Sequence, residues 1–264
     1  MPKQKIYQVD AFTDQLFAGN PAAVCPLDEW LTDELMQKIA NENNLAETAF
    51  FVPQGDDYAI RWFTPTDEVD LCGHATLASA YVLFEELGHD QATIRFHSQN
   101  SGQLRVTKED DKLFLDFPVD ELGPALESPQ MIAEKIGVEP VAVLRGKTDL
   151  IAIIDSERTL QNLRPDITGI SKLGGRGLII TAKGNKVDFV SRFFAPQVGV
   201  NEDPVTGSAH TSLIPLWAER LGKTKMTARQ LSPRGGQLWC ELREGRCIIG
   251  GNARLYMVGE INLQ

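Results

Sequence analysis

One segment of this 264-residue chain is written twice. Gly73-His74-Ala75-Thr76-Leu77-Ala78-Ser79-Ala80 leads to Leu87-Gly88, and Gly207-Ser208-Ala209-His210-Thr211-Ser212-Leu213 leads to Leu221-Gly222. In both copies the two glycines stand fifteen positions apart, and an aromatic-Phe-x-Pro ending precedes them: Trp62-Phe63-Thr64-Pro65 and Phe193-Phe194-Ala195-Pro196. A unit used twice restricts the chain to folds built from two equivalent lobes, each of about 120 to 140 residues.

Each copy predicts a strand, a loop and a helix of about fourteen residues, roughly 21 Å long. His74 or Ser208 is expected at the cap, and Gly88 or Gly222 stops the helix. A helix entrance offers unpaired N–H groups and a positive dipole end, which suits an anion. Ala78, Tyr81, Val82 and Leu83 also have the spacing of a buried face, so a single copy reads first as a capped core helix. Duplication of the polar entrance favours a site between two lobes, where two entrances clamp one small carboxylate. Pro215 interrupts the second copy and predicts a kink there.

Composition narrows the partners. A formal charge of −10 and a pI near 5.0 oppose a basic surface, which excludes nucleic acid as a partner. No apolar stretch reaches the 18 or so residues that span a bilayer, and the N-terminal residues lack the apolar core of a signal peptide, so no membrane partner and a cytoplasmic location are expected. Cys25, Cys72, Cys240 and Cys247 have no Cys-x-x-Cys spacing, and His74, His89, His97 and His210 are scattered. Neither disulfides nor a metal site are expected from such spacing. No Gly-x-Gly-x-x-Gly or Gly-x-x-x-x-Gly-Lys supports a nucleotide cofactor.

Along the chain, strands are expected at 5–9, 22–25, 48–52, 58–63, 94–97, 102–107 and 112–117, with a helix over 31–41. Three prolines within 118–129 mark a boundary. Beyond it, 129–136 reads as a helix, 141–145 and 150–154 as strands, 160–173 as a helix-bearing stretch, and 177–181 and 187–194 as strands. Strands at 238–242, 246–250 and 253–263 close the chain, the last returning to the first lobe. The expected lobes are 1–119, completed by 255–264, and 120–254. Strands grouped around one helix per lobe give an α+β fold, not alternating βα units.

Polar residues near the repeat entrances are His74, Glu202, Asp203 and Ser208. Glu47 stands in Asn44-Leu45-Ala46-Glu47-Thr48-Ala49-Phe50-Phe51, where apolar neighbours suit a general base, although a lone strand-start Glu is more often a solvated one. Asp203 suits either a bond to the helix entrance or a loop acid that favours the following dipole. His74 is a poor plain cap, and is expected to titrate near neutrality, donating to a substrate oxygen or passing a proton.

Five motifs then carry a resemblance. They are Asp10-Ala11-Phe12-Thr13 with Gly19-Asn20-Pro21-Ala22-Ala23-Val24, Asn44 to Phe50, Arg61-Trp62-Phe63-Thr64-Pro65, Leu71-Cys72-Gly73-His74-Ala75-Thr76-Leu77-Ala78, and Glu202-Asp203-Pro204-Val205-Thr206-Gly207-Ser208-Ala209. In this order they resemble the phenazine biosynthesis PhzF-like family. The resemblance implies a diaminopimelate-epimerase-like fold, two pseudo-symmetric lobes with a barrel-like mixed sheet around a central helix and a site in the cleft between them. It implies an isomerase that moves a proton on a small carboxylate without metal or organic cofactor, as the family enzyme does on trans-2,3-dihydro-3-hydroxyanthranilate, and a homodimer. The acid/base position falls on Glu47, and supporting positions fall on His74, Asp203 and Ser208. Gly73 and Gly207 match backbone positions that approach the substrate carboxylate, Asn20 joins them as a binding residue, and Arg234 in Ser232-Pro233-Arg234-Gly235-Gly236 is a candidate anion contact.

Two alternatives remain at this stage. A racemase or epimerase of the same fold uses two opposed cysteines, but Thr206 holds the place opposite Cys72, and a Thr hydroxyl is far too weak an acid for that role. The other is a non-catalytic small-molecule or protein-binding homologue, against which the retention of all four polar positions argues.

Overall fold

The computed structural model describes residues 3–263, which divide into two compact units, 3–116 with 250–263, and Phe117–Ile249. These divisions fall three and five residues before the positions expected from the sequence.

The first unit starts with β1 (Lys3–Ala11), β2 (Asn20–Pro26), α1 (Asp33–Asn43), β3 (Glu47–Gln54), β4 (Asp57–Phe63), the short β5 (Glu68–Val69) and α2 (Gly73–Tyr81). It continues with β6 (Thr93–Ser98), β7 (Gly102–Glu109) and β8 (Lys112–Pro118). β1 pairs antiparallel with β2 and with the last strand of the chain, Ala253–Asn262; β2 runs parallel to β3, β3 antiparallel to β4, and β4 parallel to β6. β6, β7 and β8, at the positions expected for three successive strands, form an antiparallel meander.

Alternation assigns the faces of this mixed sheet. Ala23, Cys25, Phe50, Val52 and Phe63 point one way, onto Met36, Ile39 and Ala40 of α1. Val9, Ala11, Asn20, Ala22, Ala49, Ile60 and Trp62 belong to the other face, all of them buried, and α2 packs on β1, β2 and β3. Every residue of α2 from Gly73 to Ala80 is buried, as expected of a helix enclosed on all sides. Burying Leu77 and Leu83 fully contributes about 1.5–3 kcal/mol each. The helix extends through a π-helical turn, Val82–Glu86, which brings the helical run to the expected length, and Gly88 (φ 73°) follows its end.

The second unit contains β9 (Gly123–Pro124), α3 (Pro129–Ile136), β10 (Ala142–Arg145), β11 (Asp149–Ile153), α4 (Glu157–Asn162), α5 (Ile167–Ile170), β12 (Gly177–Lys183) and β13 (Phe189–Ala195). They are followed by β14 (Val200–Asp203), α6 (His210–Leu221), β15 (Lys225–Gln230), β16 (Gly236–Arg243) and β17 (Arg246–Gly251). Ser128 caps α3 by accepting from Met131 N–H, with Pro129 at the first helical position. The strands pair as β10–β11 antiparallel, β11–β12 parallel, β12–β13 antiparallel, β13–β15 parallel and β15–β16 antiparallel. One face buries Leu150, Ala152, Leu178, Ile180, Val190 and Phe194 against α3, α4 and α5. The other meets α6, whose Trp217 stacks on Phe189 at an interplanar angle of 2° and donates to Thr181 Oγ1 at 3.0 Å.

Both units repeat one local device. Arg61 and Arg192 each stack on the Phe two residues later, at 5.1 Å and 4.9 Å from the ring centroids of Phe63 and Phe194. Each guanidinium also grips a carboxylate with two bonds, Arg61 to Glu68 at 2.7 and 2.6 Å, and Arg192 to Glu202 at 2.7 and 2.9 Å. The repeated order of elements and this device give two pseudo-symmetric α+β lobes, each with a mixed sheet around its own helix.

α6 runs unbroken through Pro215. Proline has no N–H to offer the carbonyl four residues earlier, and that carbonyl, of Thr211, accepts from Asp120 N–H at 3.2 Å and Cys247 Sγ at 3.5 Å. Among the described residues no helix is long and apolar enough to cross a membrane.

Candidate active site

Four features of the first unit meet at one end of its sheet. β3 begins at Glu47, β2 begins at Asn20, β4 runs antiparallel to β3 and so ends beside Glu47, and α2 begins at Gly73. Glu47 is the register partner of Ala22, which places its side chain on the face that carries Asn20 and packs on α2. Its side chain remains one-fifth exposed, and Oε2 lies 3.2 Å from His74 Nε2.

His74 is 5% exposed, and burial pushes its pKa down to about 3 against the opposing pull of the Pro21 backbone. The ring is therefore neutral near pH 7. Asn20 Nδ2 lies 3.2 Å from His74 Nδ1, and Cys72 Sγ lies 3.5 Å from the same nitrogen. The neutral ring carries one proton, and in the tautomer that places it on Nε2 the N–H lies beside Glu47. The sequence-based expectation that His74 titrates near neutrality is thus corrected: a ring this deeply desolvated cannot hold a charge there.

The expected caps are corrected as well. Cys72, with extended backbone, occupies the N-cap of α2 without a side-chain cap bond, and His74 is one residue inside the helix. In the second copy α6 starts at His210 with Ala209 at the N-cap, and Ser208 belongs to the turn before it, where its carbonyl accepts from the Thr211 hydroxyl at 2.7 Å.

The second unit holds Asp203, Gly207 and Ser208 by a network that the sequence reading missed. Gln230, fully buried on β15, uses both ends of its amide. Its Nε2 donates to the Asp203 carbonyl at 2.8 Å and contacts Thr206 Oγ1 at 3.1 Å, and its Oε1 accepts from Thr206 N–H at 2.9 Å. The Thr206 hydroxyl donates to Asp203 Oδ2. His210, also fully buried with its pKa pushed by burial down to about 4, sits with Nδ1 2.9 Å from the Thr206 carbonyl. Ser232 Oγ donates to the Pro204 carbonyl at 2.8 Å, which fixes the half-buried Arg234 loop next to the Asp203–Ser208 turn. Glu202 is committed to Arg192, and so leaves the set of acids available for chemistry.

Glu47, Cys72 and His74 place one potential metal-ligand atom each within 4.8 Å of one another. Sequence spacing could not show this, since Glu47 lies on a strand far from the other two. The thiol and the carboxylate approach opposite nitrogens of the ring, however, and one imidazole nitrogen serves one ion. This arrangement is that of a carboxylate beside a neutral imidazole.

Comparison with known proteins follows from this geometry. Residues 9–259 match the phenazine biosynthesis-like protein family. An uncharacterized isomerase of Pseudomonas aeruginosa is 52% identical over 258 residues, covering 98% of both chains. The crystal structure of a phenazine biosynthesis protein of the PhzF family from Enterococcus faecalis superposes with a TM-score of 0.94 at 48% identity, covering 99% of this chain and 100% of that one. A hydroxyproline epimerase from Agrobacterium vitis, 14% identical with a TM-score of 0.61 over 98% of this chain and 92% of its own, shares the fold.

Proposed function

Since the chain belongs to the phenazine biosynthesis-like (PhzF) family, we propose that it is an isomerase that moves a proton on a small carboxylate-bearing substrate. Glu47 acts as the base that removes the proton and returns it to a different carbon. The single observation that supports this reading best is the pairing of Glu47 with a histidine that burial keeps neutral, 3.2 Å away.

The steps balance without a co-reactant. The Glu47 carboxylate takes a proton from a carbon made acidic by a neighbouring unsaturated or carboxylate group, and the bonding pair delocalises toward oxygen. The neutral His74 Nε2–H donates a hydrogen bond to the charge that develops there. The protonated Glu47 then delivers the proton to the far end of the delocalised system, and the substrate leaves as its isomer. A general base of this kind contributes about 10²–10⁴ in rate. Gly73 and Gly207 backbone N–H groups, with Asn20 and Arg234, are proposed to bind the carboxylate, and Asp203 and Ser208 to support the reaction. The mechanism requires no metal or organic cofactor, and the location we infer is cytoplasmic.

A second reading, epimerisation, draws on the contact of Cys72 Sγ with His74 Nδ1. It is weaker because the matching Thr206 hydroxyl is spent on Asp203. The test is to incubate the protein in D₂O with a panel of small unsaturated and amino carboxylates and to follow deuterium uptake by mass spectrometry. A shifted double bond, with or without uptake, supports the isomerase, uptake with inversion at one carbon supports the epimerase, and neither product nor uptake from any member argues for a binding protein.

A further inference from the structure

Trp62 carries a buried donor that the fold does not use. The residue is 1% exposed, and its indole Nε1–H has no hydrogen-bond partner among the described residues. Buried Trp N–H groups usually find an acceptor, as Trp217 does on Thr181 in the second unit. An orphaned buried donor costs free energy, so its retention calls for a reason.

The internal repeat supplies a control. Phe193 stands in the second copy where Trp62 stands in the first, between the same Arg and the same Phe, and it is equally buried. Packing at this position is therefore satisfied by an aromatic ring without an N–H.

Register places the donor. Trp62 is the cross-strand partner of Ala49, two residues along β3 from Glu47, so Trp62 and Glu47 share the face that packs on α2. Trp62 is also one residue from the end of β4, at the end of the sheet where Glu47 and Asn20 begin their strands.

We propose that Trp62 is a substrate-binding residue, whose indole N–H donates to an oxygen of the substrate as a second neutral donor besides His74. The proposal rests on the isomerase reading and refines it. The substrate places an acceptor oxygen on the α2-facing side of β4 as well as at the helix entrance, so a substrate with two separated oxygen functions is favoured over a simple monocarboxylate.

The experiment uses the full-length ¹⁵N-labelled protein and its Trp62→Phe variant, with acetate, benzoate and 2-hydroxybenzoate as probes. The indole signal missing in the variant identifies Trp62. It is expected to move downfield saturably with 2-hydroxybenzoate, in step with the His74 ring signals, while the Trp217 signal stays in place. Trp62→Phe is expected to weaken binding of that probe about tenfold, near 1.4 kcal/mol, with an unchanged urea midpoint. Movement of His74 signals with Trp62 still, or equal affinity in the variant, overturns this proposal and leaves the isomerase reading standing. Absence of any response at either residue to all three probes counts against both.

Discussion

Acid should destabilise this protein earlier than its carboxylates alone would. His74 and His210 are buried and neutral in the folded chain, with pKa values pushed from 6.5 down to about 3 and about 4, whereas the unfolded chain protonates both at ordinary values. The unfolded state therefore binds more protons throughout the interval between those values and 6.5, and stability falls as pH falls across it. From pH 7 to pH 5 each ring costs about 2 kcal/mol, and the two together about 4 kcal/mol, out of a typical total of about 5–15 kcal/mol. Carboxylates held below their usual range, such as Asp57 under its hydrogen bond from His97, add to the loss only below about pH 4. The window between pH 6.5 and 5 thus isolates the histidines. Urea unfolding followed by far-UV circular dichroism at half-unit pH steps measures the effect, with His210→Gln expected to remove about half of it. A stability that stays level between pH 7 and pH 5 would refute the assignment of two buried neutral rings.

Other expectations follow from the same geometry. Gln230→Leu strips Thr206 N–H and the Asp203 carbonyl of their partner, and at about 1–3 kcal/mol for each orphaned group should destabilise by about 3 kcal/mol or more, read from the shift in guanidinium midpoint. Cys72→Ser should lower turnover less than about tenfold, or 1.4 kcal/mol of barrier, if Glu47 handles the proton; a loss of a thousandfold with the fold preserved would favour thiol chemistry. Turnover should survive EDTA and dialysis, and activity restored only by added zinc would revive the Glu47, Cys72 and His74 cluster as a metal centre. Light scattering should give twice the 29.2 kDa chain mass, as proposed for a homodimer.

What the sequence conveyed was periodicity and punctuation. Alternating strands, the helix that starts at Pro129 and the glycines after both repeat helices are legible because each is set by local backbone chemistry. The strand Lys225–Gln230 was not, although its burial alternates, because one of its inward positions is the polar Gln230. The residue that hid the strand is the one that clamps the Asp203–Thr206 turn, so the fold and the site were obscured together. The sequence locates the entrance of α2 at Gly73 but sets that of α6 too early, and it puts His74 and Ser208 at the caps that Cys72 and Ala209 occupy, since the register of a first turn depends on backbone angles that composition does not fix. Glu47 was recognised from its motif, whereas its approach to His74 arises from the pairing of β2 with β3 and the packing of α2 on both. The neutrality of His74 follows from enclosure, a property of the assembled sheet and helix.

The central claim is that Glu47 takes and returns a proton on carbon. It is tested most directly by deuterium incorporation from D₂O into a turned-over carboxylate, compared between the native protein and Glu47→Gln, with folding of the variant verified by its unfolding midpoint. The account predicts that the hydrogen carried by Glu47 arrives at the new carbon position in the native protein, as deuterium to the extent that the protonated carboxyl exchanges with D₂O before delivery, and a rate of isomerisation lower by about 10²–10⁴ in the variant. Isomerisation at the native rate by folded Glu47→Gln would contradict it.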